Sequence, residues 1–480
     1  MKILLSGFFT EFIPMTAFYD HFYRWFIDCL PKDKIEVKFL MCEDDYRENE
    51  KTHILDMLNP VLLDKESLKY IFDDLDYINL FVKTNQNELT DEELNKLKKI
   101  SDSIFKDWKP DIVLCMGAVN SKNIWGEIFP NALCLSSENG IFSRFPFSRT
   151  IAYDPFGTCP FNFMIKYADK IKNFKISFKQ NLEIEKFKRD FQKIFNKCSI
   201  VDKEMREYKK RFRRIMLLPL VGFTFNRLLQ DSIFEKDRDI VEYVLKNIPD
   251  DIGLIVTRHP YSEDLDNESI EYLLNKYKNF IFLQKTNNLG DVLISIYYYK
   301  FVDAVLNVTS KTGIEAGLIY DKPIISLTKQ YNNLIKDSDN VRDIENVIKK
   351  RKKINKNNIL YWYLTHYITY EQSFNEKLYD IITKKLEKYQ KNGIDFNFYE
   401  QEYTMKEVYK YVLEPVKQYY NYYTFSDKIK VIYNKIIEKI ENRLEKIKNK
   451  IENLYKTCSY TVNSYKKAII KIMKYYIVMR

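Results

Sequence analysis

Residues 303–317 read DAVLNVTSKTGIEAG, and this stretch decides the fold class. An apolar run typical of a buried strand ends at Val308, and Gly313 then allows a tight turn before a helix with Glu315 in its first turn. A strand–turn–helix of this kind directs backbone N–H groups outward and forms an anion site where open α/β sheets bind ligands. The alternative is an ordinary capped helix, which requires only Thr or Ser and a nearby Glu.

Similar apolar runs recur through the chain, with helix-like stretches such as 88–107, 235–247 and 268–277 between them. Residues 161–213 are charged, rich in Lys and Phe, and have helical spacing, which is typical of a connection between two lobes. This alternation predicts an α/β fold with two Rossmann-like domains, each a parallel sheet covered by helices. The predicted strands are 2–6, 35–41, 111–116, 132–136, 215–220, 251–260, 279–284, 303–310 and 322–327.

The pattern divides the chain into four regions. Residues 1–205 and 206–350 are the two Rossmann-like domains, and the aromatic-rich segment 351–426 is helical and packs back on them. Residues 427–480 are a basic helical tail with 14 Lys/Arg and 5 Asp/Glu, a net charge of +9 within a total of +10. The rest of the chain is therefore nearly neutral, and a nucleic-acid-binding core is not expected.

The tail allows two interpretations. Its apolar residues follow heptad spacing, which predicts self-association through a coiled coil. Its charge instead favours binding to an anionic membrane surface. No run of about 18 apolar residues occurs, so no transmembrane helix is expected. The heptad positions are Tyr433, Ile437, Ile440, Leu444, Ile447, Ile451 and Leu454.

Seven cysteines are scattered through the 480 residues without CxxC or metal-ligand spacing, which is typical of reduced thiols in the cytosol. Triplets that resemble DxD occur at 74–76, 264–266 and 337–339, and we interpret them as solvated loops in a highly charged chain. The sequence therefore predicts no metal site.

A second motif, TRHPY at 257–261, follows the predicted strand DIGLIV. Pro260 stops the strand, and Arg258 and His259 are then placed to face a phosphate that the histidine protonates or stabilises. The alternative is a histidine packed at the edge of a sheet.

A third segment, SSENGIFSRFPFSRTIAYDPFG, spans 136–157. Glu138 follows a buried strand and precedes Gly140, so its carboxylate is expected at the carboxyl edge of the first sheet. A carboxylate there is suited to act as a catalytic base or to stabilise charge. The alternative is a loop glutamate paired with Arg144.

In their order along the chain, the three motifs resemble those of GT-B glycosyltransferases. They resemble most of all bacterial capsule polysaccharide biosynthesis proteins of the Kdo-transferase type. In that family an HP follows one strand, and S-S-x-x-G-x-E-A-L-L-x-x-K-P-V-I follows another; here the second motif reads TSKTGIEAGL at 309–318 and KPII at 322–325. Segment 136–157 resembles E-x-G-x-x-R-P-x-x-x-T-x-x-x-x-G, although Pro146 stands two residues after Arg144. The resemblance covers roughly residues 1–345.

The resemblance implies that the first domain takes an acceptor and the second takes a nucleotide-sugar donor. It implies that His259 contacts the donor phosphate, the turn 309–313 contacts phosphate or sugar, and Glu315 contacts ribose hydroxyls. The nucleotide sugar is a co-substrate, and no cofactor is expected. The predicted residues are Glu138 and His259 as catalytic groups, Arg258, Thr309, Ser310, Thr312, Gly313 and Glu315 for the donor, and Arg144 and Asn226 along the cleft.

The predicted function is therefore transfer of a sugar, with CMP-Kdo or another CMP-sugar favoured as donor, to a surface polysaccharide or lipid-linked acceptor. The expected location is cytoplasmic, either free or peripheral on the inner face of a bacterial membrane. Alternatives on the same fold are a polyol-phosphate transferase and a nucleotide-sugar 2-epimerase. A non-catalytic polysaccharide-binding protein is a further alternative.

Overall fold

The structure is a computed structural model, in which Met1–Val416 form one compact unit and Lys417–Arg480 a second. The predicted tail, 427–480, lies outside the described residues. The structure describes residues 1–6, 25–43, 60–72, 89–116, 124–143, 146–157, 162–196, 201–220, 234, 236–258, 265–282, 294–308, 310–327, 334–349 and 356–420.

The first sheet contains seven strands among the described residues, in the order β12-β6-β5-β4-β1-β2-β3. The five strands from β5 to β3 are parallel, whereas β6 and β12 join antiparallel at one end. The order 3-2-1-4-5 of the parallel strands is that of a Rossmann-like sheet. Its strands are β1 (Lys2–Ser6), β2 (Glu36–Cys42), β3 (Pro60–Leu63), β4 (Ile112–Met116), β5 (Leu133–Asn139), β6 (Thr150–Asp154) and β12 (Ile368–Tyr370).

The second sheet repeats this order with five parallel strands in the described part of the chain, arranged β11-β10-β7-β8-β9. Both faces are covered, so a strand such as β8 is an unbroken apolar run whose six residues are all buried. The predicted fold class, α/β with two Rossmann-like domains, is confirmed. The strands are β7 (Arg214–Pro219), β8 (Ile252–Thr257), β9 (Phe280–Phe282), β10 (Ala304–Asn307) and β11 (Ile324–Ser326).

Helices fill the intervals between strands and connect the two sheets. The segment predicted as the connection, 161–213, forms α5 to α8. The first helices are α1 (Trp25–Asp28), α2 (Lys65–Ile71), α3 (Asp91–Phe105), α4 (Trp125–Ile128), α5 (Phe163–Lys166), α6 (Ala168–Lys172), α7 (Phe178–Asn196) and α8 (Asp202–Arg211). The later helices are α9 (Asp237–Asn247), α10 (Asn267–Lys276), α11 (Lys311–Ile319), α12 (Ile344–Lys349), α13 (Lys356–Trp362), α14 (Tyr379–Asn392) and α15 (Met405–Val408).

Local chemistry fixes several helix starts. Helix α3 begins with a capping box, in which Thr90 accepts a hydrogen bond from the N–H of Glu93 and the Glu93 side chain accepts from the N–H of Thr90. Asp266 is the N-cap residue of α10 and accepts a hydrogen bond from the N–H of Ser269 at 2.7 Å. Each cap satisfies a backbone donor that the helix itself leaves unpaired.

Within the described residues 356–420, the prediction of a helical segment fails at a strand and in the stretch 393–404, which is mostly without helix. Residues Ile368–Tyr370 form β12, which pairs antiparallel with Thr150–Ala152 of β6. A β-branched and aromatic triplet suits a strand, and its partner strand is contributed from far away in the sequence. Strands β3, β6 and β12 were not among the predicted strands.

The predicted domain boundaries stay predictions. The boundary at 205/206 falls within α8, and the boundaries at 350/351 and 426/427 lie outside the described residues. In the described part of the chain, no helix has both the length and the apolar character needed to cross a bilayer.

Candidate functional site

The candidate site lies at the carboxyl edge of the second sheet. Strands β8 and β10 both pair in parallel with β7, one on each side, so their carboxyl ends are on the same edge and about 10 Å apart. Strand order reverses between β7 and β10, which is the switch point where sheets of this class bind ligands. Arg258, directly after β8, and Ser310, shortly after β10, therefore lie at the same edge of the sheet.

Helix α11 presents its N-terminus at this crevice. Ser310 is the N-cap residue and accepts a hydrogen bond from the N–H of Thr312 at 3.3 Å. The hydroxyl of Tyr299 donates to the carbonyl of Thr312 at 3.1 Å. The first turn has no acidic residue and begins with Lys311, so this end combines the positive pole of the helix dipole with an ammonium group. Such an end attracts anions.

The connecting helix α7 holds the opposite end of α11. Gln192 donates to the carbonyl of Ile319 at 2.6 Å. The buried ammonium of Lys188 donates to both carboxylate oxygens of Asp321, at 2.9 and 2.7 Å, and to Asn357 at 3.1 Å. These bonds fix α11 along its axis, so its N-terminus is held at the edge of the sheet.

Asn307, the last residue of β10, lies directly beneath the first turn of α11. A Cβ placed on Gly313 would be 2.4 Å from Cγ of Asn307 and 2.6 Å from its Nδ2, so only glycine fits there. Asn307 is 0% exposed, and neither atom of its amide has a hydrogen-bond partner among the described residues. Buried amides are normally bonded, so this one marks a place where a partner is missing.

Glu315 is placed differently from the prediction. Because α11 begins at Lys311, Glu315 is its fifth residue and lies in the second turn, not the first. Its side chain is buried, Oε1 has no partner in the described part of the chain, and burial raises its pKa from 4.5 to about 8. The group is therefore largely protonated at neutral pH. The contact with ribose hydroxyls stays a prediction.

Glu138 brings the first sheet to the same place. It lies within β5 as its penultimate residue, rather than after the strand as predicted, and it is 9% exposed. Its Oε1 is 2.8 Å from Nζ of Lys311, so an ion pair joins the carboxyl end of β5 to the N-terminus of α11. The carboxyl edges of the two sheets thus face each other at this contact, as the GT-B prediction requires. The alternative partner, Arg144, lies outside the described residues.

Five of the predicted residues that are described lie in α11, cap it or contact it: Glu138, Ser310, Thr312, Gly313 and Glu315. Arg258 lies half-buried directly after β8, and no described contact joins it to α11. The four other predicted residues lie outside the described residues, and their roles stay predictions: Arg144, Asn226, His259 and Thr309.

Sequence reasoning missed two residues. Asn307 could have been found as a polar residue that ends the apolar run DAVL, directly before the hydroxyl-rich turn. Lys311 was part of the quoted motif, but its partner in the other sheet leaves no local signal.

The described residues contain no group of three His, Cys, Asp or Glu close enough to hold a metal ion. Two aspartates of the DxD-like triplets have structural roles instead. Asp266 caps α10, and Asp337 accepts a hydrogen bond from the N–H of Ile324 at 2.9 Å. The prediction of solvated loops is therefore wrong for Asp337, whose side chain is 4% exposed.

No family model matches the chain, and no curated protein matches it. Solved structures provide the comparisons. The beta Kdo 2,7 transferase KpsC of Thermosulfurimonas dismutans is 15% identical, with a TM-score of 0.37, over 62% of this chain and 90% of that one. UDP-GlcNAc 2-epimerase of Methanocaldococcus jannaschii is 14% identical, with a TM-score of 0.29, over 80% and 99%.

The spinosyn forosaminyltransferase SpnP is 12% identical, with a TM-score of 0.31, over 82% of this chain and 100% of that one. Similarities at TM-scores below 0.5 carry no argument about activity and assign the chain to no family. The proposal below therefore rests on the residues of this chain.

Proposed function

We propose that the protein is a GT-B glycosyltransferase that uses a nucleotide-activated sugar as donor. The observation that carries this proposal is the buried amide of Asn307, which has no hydrogen-bond partner in the described part of the chain and lies beneath the N-terminus of α11, at the switch point of a Rossmann-like sheet. Helix N-termini at such points bind phosphate groups, which every nucleotide donor contains.

The charges around α11 suit a phosphate that leaves with extra negative charge. Lys311 contributes a cation at the first turn, the helix dipole adds a fixed positive pole, and Arg258 lies half-buried at the same edge of the sheet. Hydrogen-bond donors and charges that are held in place before the reaction stabilise developing charge more than solvent does, because they need not reorganise. This arrangement stabilises the leaving group through the protein's own groups.

The transfer uses Glu138 on the other side of the crevice. An acceptor hydroxyl attacks the anomeric carbon of the donor sugar, and a new C–O bond forms there. The bond from that carbon to the phosphate oxygen breaks, and its electron pair leaves with the nucleotide phosphate. The hydroxyl proton passes to the carboxylate of Glu138. The carboxylate is suited to this role because it lies at the carboxyl edge of β5, opposite α11.

The finer assignments are part of the same proposal. CMP-Kdo or another CMP-sugar is the favoured donor, and a surface polysaccharide or lipid-linked glycan is the acceptor. His259 acts with Glu138 as the second catalytic group, on the donor phosphate. The membrane-binding or self-associating role of 427–480 stays a prediction for residues outside the described part of the chain.

The test combines a donor panel with one substitution. Purified protein is assayed with CMP-, CDP- and UDP-linked donors, and Glu138→Gln is expected to retain nucleotide binding while transfer falls by about 10²- to 10⁴-fold, the usual contribution of a general base. Glu127→Gln is the matched control, because Glu127 is an exposed residue of the first lobe whose partner is Lys98. It should transfer at the wild-type rate.

The outcomes separate the alternatives. Conversion of the nucleotide sugar, or of the sugar released from it, to the C2 epimer indicates a 2-epimerase. Transfer of an intact polyol phosphate from a CDP-linked donor indicates a polyol-phosphate transferase. Nucleotide binding without turnover in the wild type indicates a binding protein. Wild-type transfer by Glu138→Gln contradicts the role assigned to Glu138.

A further inference from the structure

We propose that Lys311 is shared between two anions: it pairs with Glu138 while the donor site is empty and turns to the donor phosphate when the nucleotide binds. This inference rests on the proposed function. It makes Lys311 a positioning residue that couples occupation of the donor site to release of the Glu138 carboxylate.

The contact between Lys311 and Glu138 is well defined. Nζ of Lys311 lies 2.8 Å from Oε1 of Glu138, and the two side chains are 28% and 9% exposed. The carboxylate is thus mostly withdrawn from water, and a cation beside it offsets the cost of its burial. A carboxylate held by an ammonium group is also a weaker base than a released one.

The same lysine is the first residue of α11, so its flexible side chain is anchored at the proposed phosphate site. A lysine ammonium is a point charge with rotatable donors, and it can change partners without backbone movement. A nucleotide phosphate bound at the N-terminus of α11 therefore competes with Glu138 for this one cation.

Asn307 supplies a second observation that points to a ligand at this turn. Its buried amide has no hydrogen-bond partner among the described residues, and it lies beneath Gly313, which belongs to the same first turn as Lys311. The arrangement predicts that the donor binds first and that Glu138 accepts the acceptor's proton only afterwards.

The experiment is a double-mutant cycle on nucleotide affinity, measured by titration calorimetry with CMP, CDP and UDP as probes. Lys311→Met should weaken binding of the preferred nucleotide by about 10- to 100-fold, the range expected for a charge-assisted hydrogen bond. Glu138→Gln should tighten it several-fold, because it removes the competing anion. In the Lys311→Met background, Glu138→Gln should have no effect.

Two further variants keep the result interpretable. Lys311→Arg retains the charge and should bind within a few-fold of wild type. Lys377→Met is the matched control, since Lys377 forms a 2.7 Å pair with Glu407 at similar exposure but far from α11 in the sequence. Its nucleotide affinity should equal that of wild type.

The inference is overturned if Lys311→Met binds nucleotide like wild type, or if Glu138→Gln has the same effect with and without Lys311. Either result with a wild-type protein that binds nucleotide leaves the proposed function standing. A folded wild-type protein that binds none of the three nucleotides contradicts the proposed function as well.

Discussion

Two buried asparagines of the second domain allow a direct test of whether the side-chain amide of Asn307 lacks a hydrogen bond. Asn307 is 0% exposed and has no partner for its amide among the described residues, whereas Asn279 is 1% exposed and donates to the carbonyl of Ile252 at 3.1 Å. Replacing each with alanine removes the same atoms from similarly buried positions. The two variants differ mainly in whether a hydrogen bond is lost.

The expected stabilities differ in a way that can be measured. Asn279→Ala should lower the free energy of unfolding by about 1–3 kcal/mol, because it breaks a buried bond and leaves a carbonyl unpaired. Asn307→Ala loses packing but also removes an unbonded polar group, and a group of that kind costs about 1–3 kcal/mol. We therefore expect its stability to stay within about 1 kcal/mol of wild type, or to rise.

Nucleotide binding should show the opposite order. Asn307→Ala should weaken binding of the preferred nucleotide roughly tenfold, because the variant lacks the side-chain amide that would donate a hydrogen bond to a phosphate. Asn279→Ala should leave the affinity unchanged. Urea unfolding and titration calorimetry measure the two quantities. The reasoning is refuted if Asn307→Ala is destabilised as much as Asn279→Ala and binds nucleotide as wild type does.

Three further predictions follow from the packing and titration of single residues. Gly313→Ala should weaken nucleotide binding and cost about 1–3 kcal/mol through overpacking on Asn307, and the Asn307→Ala background should relieve this cost in urea unfolding. Burial raises the pKa of Glu315 to about 8, so between pH 4.5 and 8 the folded state holds a proton that the unfolded state has lost. The free energy of unfolding should therefore fall as pH rises from about 4.5 to 8. Glu315→Gln should remove that fall, measured by thermal unfolding at pH 5 and 8. Burial lowers the pKa of His366 to about 4, so the folded protein should lose stability as pH falls from 6.5 to 4. His366→Gln should lose less stability than wild type between pH 7 and pH 4.5, measured by thermal unfolding.

Much of the fold could be predicted because parallel strands covered on both faces are continuous apolar runs. The runs IMLLPL and DIGLIV predict β7 and β8 almost to the residue. Strand β3 is only four residues long and begins with Pro60, and β12 is a triplet within an aromatic helical region. Their pairing depends on strands contributed from elsewhere, so a local pattern does not reveal it.

The candidate site was predictable one lobe at a time. The motifs placed Glu138 at the carboxyl end of a strand and Ser310 in a turn between a strand and a helix, because each position follows from local chemistry, although α11 begins at Lys311, earlier than the sequence predicts. The ion pair between Glu138 and Lys311 depends on how the two sheets face each other. The burial of Glu315 likewise depends on where α11 begins, because one extra turn moves it from the first turn into the interior.

The most direct test of the central claim is a crystal structure of the complex with the nucleotide that binds best. The account predicts a phosphate within about 3 Å of N–H groups in the first turn of α11, with Lys311 turned toward it and away from Glu138. A phosphate bound at the switch point of the first sheet, with the ion pair between Lys311 and Glu138 intact, would contradict it.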